Sequence, residues 1–97
     1  MYVTGKTTDG LPIISGLFRF YDTLGVPLAD VLMKISERRL VPDWADFIQS
    51  ASTSGWTKHT TLSRVREAVV DSYGPKHWEG MCEQFNSHLD AVYGVNT

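Results

Sequence analysis

The chain of 97 residues is long enough for one domain with a single core, and too short for two domains that each bury an apolar interior. Its hydrophobic fraction of 42% and charged fraction of 21% match those of ordinary globular proteins and exclude a wholly disordered chain. The net charge of -2 is spread evenly, which excludes a polybasic tail that would attract nucleic acid at long range.

Cysteine usage and the first residues indicate the compartment. Cys82 is the only cysteine, so an intramolecular disulfide is excluded and a reducing cytoplasm is favoured. The first ten residues carry neither the charged nor the apolar region of a signal peptide, and every apolar run is too short to span a membrane. We therefore expect a cytoplasmic protein that does not enter a membrane.

Residues 1–10 are predicted to form a flexible N-terminal arm. They contain three threonines, two glycines and few apolar side chains, a composition typical of a loose segment that makes at most a short extended contact. Residues 11–97 are then expected to form a single helical domain.

Proline and glycine mark the predicted helices of this domain. Proline suits the first helical position, whereas glycine suits the left-handed residue that ends a helix. Prolines stand at four candidate starts and glycines just past three candidate ends: Pro12, Pro27, Pro42 and Pro75, with Gly25, Gly74 and Gly94. These signals predict helices at about 12–24, 27–39, 42–53, 62–73 and 75–93, the fourth of them capped by Thr60 or Thr61.

Apolar side chains recur every three or four residues along each predicted helix, which is typical of one buried face. No stretch alternates apolar and polar residues for long enough to predict a sheet. The expected fold class is therefore all-α: a compact single domain of about five short amphipathic helices joined by tight Gly/Pro corners. We expect the apolar faces to be used in the core, which leaves the polar joints for partners. The residues predicted on these apolar faces are Ile14, Leu17, Phe18 and Tyr21, widened by Ile13, Phe20 and Leu24, in the first helix; Leu28, Val31, Leu32 and Ile35 in the second; Trp44, Phe47, Ile48 and Ala51 in the third; Leu62, Val65, Val69 and Tyr73 in the fourth; and Trp78, Met81, Cys82, Phe85, Leu89 and Val92 in the fifth.

Cys82 and the three histidines were weighed as a zinc site or a nucleophilic dyad. The steps from His77 to Cys82 and from Cys82 to His88 turn these side chains to different helix faces, so Cys82 is interpreted as a buried structural thiol. No catalytic residue, metal or cofactor is predicted, and we expect a protein that is not an enzyme. A deep pocket lined by His59, His77 or Glu79 would favour the enzymatic alternative.

Acidic pairs four residues apart share a helix face at Glu67 with Asp71 and at Glu79 with Glu83. A dimetal bundle would need Glu-x-x-His repeats pointing inward, and the sequence has none. Both pairs lie opposite the apolar faces, which is typical of a solvated helix surface.

The run Leu24-Gly25-Val26, followed by Val31, resembles the turn and second helix of helix-turn-helix DNA-binding domains. The resemblance implies a DNA-binding regulator whose second helix, 27–39, presents Lys34, Ser36, Arg38 and Arg39 to DNA. It covers about twenty residues, and the same sequence also suits any corner between two packed helices.

Trp56 follows Gly55 in the polar linker, beside Lys58 and His59. It is either a hydrophobic clasp at the end of the third helix or an exposed anchor for a partner. We prefer a non-enzymatic interaction or regulatory protein that docks a helical surface onto a macromolecule, most plausibly a protein. The small size also fits accessory factors of phages and mobile elements, although no residue specifies that role. The predicted partner-binding residues are Trp56, Lys58 and His59, joined by Arg38 and Arg39 if the helices bring them close, and the same aromatic residues would serve a homodimer.

Overall fold

The computed structural model describes residues 2–95. Over this range the chain forms five helices and a small three-stranded sheet. The strands are β1 (Tyr2–Lys6), β2 (Pro12–Ser15) and β3 (Val41–Pro42), and the helices are α1 (Leu17–Leu24), α2 (Leu28–Glu37), α3 (Trp44–Thr53), α4 (Lys58–Tyr73) and α5 (Pro75–Tyr93).

The sheet corrects the all-α prediction, because the fold is mostly helical with an added β-hairpin. β1 pairs antiparallel with β2, and β2 pairs parallel with β3, which gives the order β1-β2-β3. The segment predicted as an arm thus contains a paired strand, which is the short extended contact that the composition allowed. Every residue of β1 is exposed, so this strand adds little to the core.

The first predicted helix began at Pro12, and this boundary is wrong. Ile13 and Ile14 are β-branched and favour a strand, while Gly16 adopts a left-handed φ of 84° that a continuous helix does not tolerate. Helix α1 therefore starts only at Leu17. Four strand residues are too few for their alternation to be recognised in the sequence, and Pro12 favoured a helix start.

The other helices follow the predicted pattern with small shifts at their starts. α2 and α5 lie within one or two residues of the expected bounds. Helix α4 begins earlier than predicted, because Thr57 rather than Thr60 or Thr61 is the N-cap: its hydroxyl accepts from the backbone N–H of Thr60 at 3.1 Å. Residues of the predicted third helix split between β3 and α3.

The core lies between all five helices and β2. The predicted face residues that are fully buried are Ile14, Leu17, Phe18, Leu28, Val31, Leu32, Ile35, Phe47, Ile48, Ala51, Val65, Val69, Phe85 and Leu89, and Ala68 from α4 joins them. The other predicted face residues are only partly buried, and Leu24 is 60% exposed. Leu32, Phe47, Ile48, Val65 and Leu89 are wholly inaccessible to water. Helix α2 packs chiefly against α4, and α5 packs against both α3 and α4.

The hairpin is fixed to the start of α3 by a carboxylate. Asp43 caps α3, since its Oδ1 accepts from the backbone N–H of Asp46 at 3.1 Å. Its Oδ2 accepts from the hydroxyl of Ser15 at 2.7 Å and from that of Thr4 at 3.3 Å. In addition, Asp46 Oδ2 accepts from the backbone N–H of Gly16 at 2.9 Å. These hydrogen bonds attach the hairpin to the helical part of the fold.

Candidate functional site

The main concave feature of the described residues is a groove of about 1010 Å³ that opens to solvent. One wall is the turn and second strand of the hairpin together with β3, and the other is the middle of α5 with the end of α4. The lining residues include Thr7, Leu11, Ile13, Ser36, Arg39, Leu40, Val41, Pro42, Asp43, Trp44, Ala45, Ser72, Tyr73, His77, Met81, Gln84, Phe85 and His88.

One face of α5 supplies the longest wall of the groove. His77, Met81, Gln84 and His88 follow one another at steps of three or four residues, so they lie along the same side of the helix. Phe85 lies beneath them and is only 1% exposed. The wall therefore has Met81 and Gln84 in its middle, above Phe85, and an imidazole towards each end.

Packed aromatic rings form the floor. The ring of Phe85 meets that of Trp44 with 5.7 Å between centroids and that of Trp78 with 5.6 Å, both in edge-to-face contacts. Trp44 also contacts Phe47 at 5.6 Å in the core. These contacts tie the floor to the core, so we expect its shape to be largely preformed.

Positive and neutral groups dominate the rim. Arg39 is exposed and holds a left-handed φ of 56°, which is unusual for a residue other than glycine and turns the chain from α2 into β3. Within residues 2–95, no carboxylate forms an ion pair with Arg39, His77 or His88. The one acid in the lining, Asp43, already accepts hydrogen bonds on both carboxylate oxygens.

Tyr73 closes the end of the groove nearest α2. Its hydroxyl donates to the backbone carbonyl of Leu32 at 3.2 Å, and its ring lies 4.7 Å from that of His77. Burial disfavours the phenolate and raises the pKa of Tyr73 to about 12. The side chain is thus a neutral donor at physiological pH and positions His77.

Trp56 forms a hydrophobic clasp at the end of α3. Gly55 adopts a left-handed φ of 92°, and the backbone N–H of Trp56 donates to the carbonyl of Ala51 at 3.0 Å, as in a Schellman ending of α3. The indole packs edge-to-face against Phe18 at 5.0 Å and Tyr21 at 6.0 Å, and it remains half-buried. These contacts make Trp56 part of the packing between α1 and the end of α3.

Lys58 and His59 differ in their availability. The ammonium of Lys58 pairs with Asp90 at 2.7 Å and donates to the carbonyl of Gly94 at 2.8 Å, so it closes the C-terminal end of α5. His59 is exposed on the first turn of α4.

The predicted partner-binding residues do not form one surface. Arg39 lines the groove together with Tyr73, which lies at the end of α4, whereas Lys58 and His59 lie at the start of that helix. The 16 residues of α4 span roughly 24 Å at about 1.5 Å per residue. Arg38 is exposed next to Arg39 but does not line the groove. Of the predicted partner-binding residues, only Arg39 lines the groove.

The Gly25 corner has the backbone of a helix end. Gly25 has a left-handed φ of 68°, and its N–H donates to the carbonyl of Tyr21 at 3.0 Å. Val31 is buried, as the helix-turn-helix resemblance implies, and Lys34, Ser36 and Arg38 are exposed. However, α2 packs mainly on α4 and only weakly on α1, unlike the paired helices of that motif.

The residues considered as a catalytic or metal site do not come together in the fold. Cys82 is half-buried rather than fully buried, and its thiol contacts the carbonyl of Glu79 at 3.6 Å. His77 lines the groove, whereas His59 and Glu79 do not. Across the described range, no three His, Cys, Asp or Glu side chains come together as a metal site.

Sequence reasoning missed the groove for two reasons. Its hairpin wall includes Thr7, which was predicted to lie in a flexible arm, and Ile13, which was predicted to lie in a helix. Its other wall includes Met81 and Phe85, which also belong to the apolar face predicted for α5. The available signal was His77, Met81 and His88, which share one helix face with an imidazole at each end.

Comparison of the chain with protein-family models, with curated proteins and with solved structures gives no match. Among residues 2–95, no helix combines the length and the apolar character needed to cross a lipid bilayer.

Proposed function

We propose that this protein is a non-enzymatic interaction or regulatory domain, acting in the cytoplasm, which docks a segment of a partner protein in the groove between its β-hairpin and α5. The observation that carries the proposal is the groove itself, with its largely apolar lining and its aromatic floor. A volume of about 1010 Å³ is at the upper end of the range for small-molecule pockets, roughly 300–1,000 Å³, and an open shape suits an elongated ligand.

The groove also has the chemistry of a protein interface. Trp44 and Tyr73 belong to the residue types that dominate binding energy at interfaces, and Met81 adapts to varied apolar partners. The groove histidines favour binding over catalysis, because within the described range neither His77 nor His88 donates to a carboxylate that would orient a general base.

The proposal is tested by blocking the groove with a tryptophan at an exposed position. Ala45 lines the groove, whereas Ala91 is an equally exposed helical alanine outside it. We expect the wild-type protein and Ala91→Trp to capture the same partner protein from the native cell, and Ala45→Trp to lose it. Met81→Arg, whose long stem can reach solvent, should repeat the loss. Capture that survives both groove variants would overturn the proposal.

A parallel measurement of duplex-DNA binding tests the helix-turn-helix alternative. A regulator of the helix-turn-helix kind would bind duplex DNA in a salt-dependent manner and would lose that binding in the double variant Arg38→Ala, Arg39→Ala. Our proposal predicts no such binding at 150 mM salt. Salt-dependent binding that the double variant loses would show that the partner is DNA rather than a protein.

A further inference from the structure

We propose that the partner segment in the groove is acidic as well as apolar, with its carboxylates placed against Arg39, His77 and His88. This inference rests on the proposed docking function and specifies its ligand. It follows from the basic side chains that lie around the apolar floor of the groove.

The basic side chains of the groove lack an internal counterion. Arg39 is exposed at the turn after α2, and the two imidazoles flank Met81 along α5. Within the part of the chain that the structure describes, the only ion pair is Lys58 with Asp90, which lies at the far end of α4. Arg39, His77 and His88 are therefore available to carboxylates of a ligand.

The acid in the lining is engaged by donors of the fold. Asp43 accepts from Ser15 and Thr4 on Oδ2 and from the backbone of Asp46 on Oδ1, so both of its carboxylate oxygens are directed to the hairpin and the start of α3. The charged or titratable lining groups are thus Arg39, Asp43, Tyr73, His77 and His88, of which Tyr73 is neutral below about pH 12.

Side chains rather than sheet extension should provide recognition. The edge strand that borders the groove, β3, has two residues, and one of them is Pro42, which has no N–H to donate. A ligand therefore gains little from adding a strand here, and the apolar floor with its cationic rim determines what binds.

Selection from a random library of displayed twelve-residue peptides tests the inference. The library is selected on the wild-type protein and depleted on Ala45→Trp. We expect enriched peptides that combine aromatic or aliphatic residues with two or more acids. A selected peptide should bind Arg39→Gln about fivefold more weakly than Arg38→Gln, its neighbour outside the groove.

A further pair of variants supplies a second readout. The double variant His77→Gln, His88→Gln removes both imidazoles from the groove, so the selected peptide should bind it about threefold more weakly than it binds His59→Gln, whose imidazole lies outside the groove. Equal affinities of these two variants would overturn the placement of ligand carboxylates against His77 and His88.

The outcomes separate this inference from the docking function. Groove-dependent peptides that are neutral or basic would overturn the acidic ligand and leave the docking function intact. An absence of any peptide that distinguishes the wild-type protein from Ala45→Trp would overturn both.

Discussion

Lys58 donates from Nζ to Asp90 Oδ1 at 2.7 Å and so joins the first residue of α4 to the last turn of α5. The same ammonium donates to the carbonyl of Gly94, which is a favourable position for a cation at the end of a helix. The lysine that sequence analysis assigned to a partner surface thus stabilises the fold.

Replacing Lys58 by Met should lower the free energy of unfolding by about 1–2 kcal/mol, because the charged hydrogen bonds are lost while the aliphatic stem is retained. Asp90→Asn should cost only about 0.5 kcal/mol, since Asp90 is 40% exposed and solvent screens its charge. Urea unfolding of both variants measures these losses. Variants as stable as the wild-type protein would show that the pair contributes nothing.

Asp43→Ala should destabilise the protein by about 1–3 kcal/mol, because the substitution removes the cap of α3 and the carboxylate oxygen that accepts from both Ser15 and Thr4. Amide hydrogen exchange in β1 and β2 should accelerate as the hairpin loses its attachment to α3. Asp71→Asn, on the exposed side of α4, should change stability by less than about 0.5 kcal/mol. Equal effects at both positions would contradict the proposed role of Asp43.

Trp56→Ala should cost roughly 2–3 kcal/mol, somewhat less than for a fully buried aromatic residue, because it removes the contacts with Phe18 and Tyr21. Trp56→Phe should recover most of the stability and keep binding of the selected peptide. Unfolding and peptide affinity are measured side by side. A Trp56→Phe variant that folds normally but loses the peptide would support the alternative of an exposed anchor.

The buried phenol of Tyr73 makes alkaline stability a direct test of its environment. Because its folded-state pKa is raised from 10.0 to about 12, the stabilisation it provides is fully present below pH 10 and falls as the pH rises towards 12. The urea midpoint of the wild-type protein should therefore drop more than that of Tyr73→Phe between pH 9.5 and 11.5. Absorbance at 295 nm should show a late titration phase that this variant lacks.

The helical part of the fold was largely predictable from local signals. Pro75 and Gly94 bracket α5, and the spacing of Phe85 and Leu89 identified its buried face. These signals are local, because proline fixes its own φ and a helix face repeats within a few residues. Such features do not depend on which other segment packs nearby.

The hairpin and the groove depend on contacts that sequence spacing does not encode. Pro12 is compatible with a strand as well as with a helix start, and the strand forms because β1 and β3 pair with its two edges. Spacing in the sequence also does not show that Leu11, Ile13 and Met81 line an open groove, in which Met81 still packs against the core. We therefore propose that the partner binds in this groove rather than at the polar linker.

We propose above all that a partner docks in the groove between the hairpin and α5. The most direct test is the amide spectrum of the ¹⁵N-labelled protein titrated with a peptide selected on the wild-type protein. We expect the largest shifts at Val41, Met81, Phe85 and His88, and little change at His59. Shifts centred on His59 and Trp56 at the start of α4, with the groove residues unmoved, would contradict the claim.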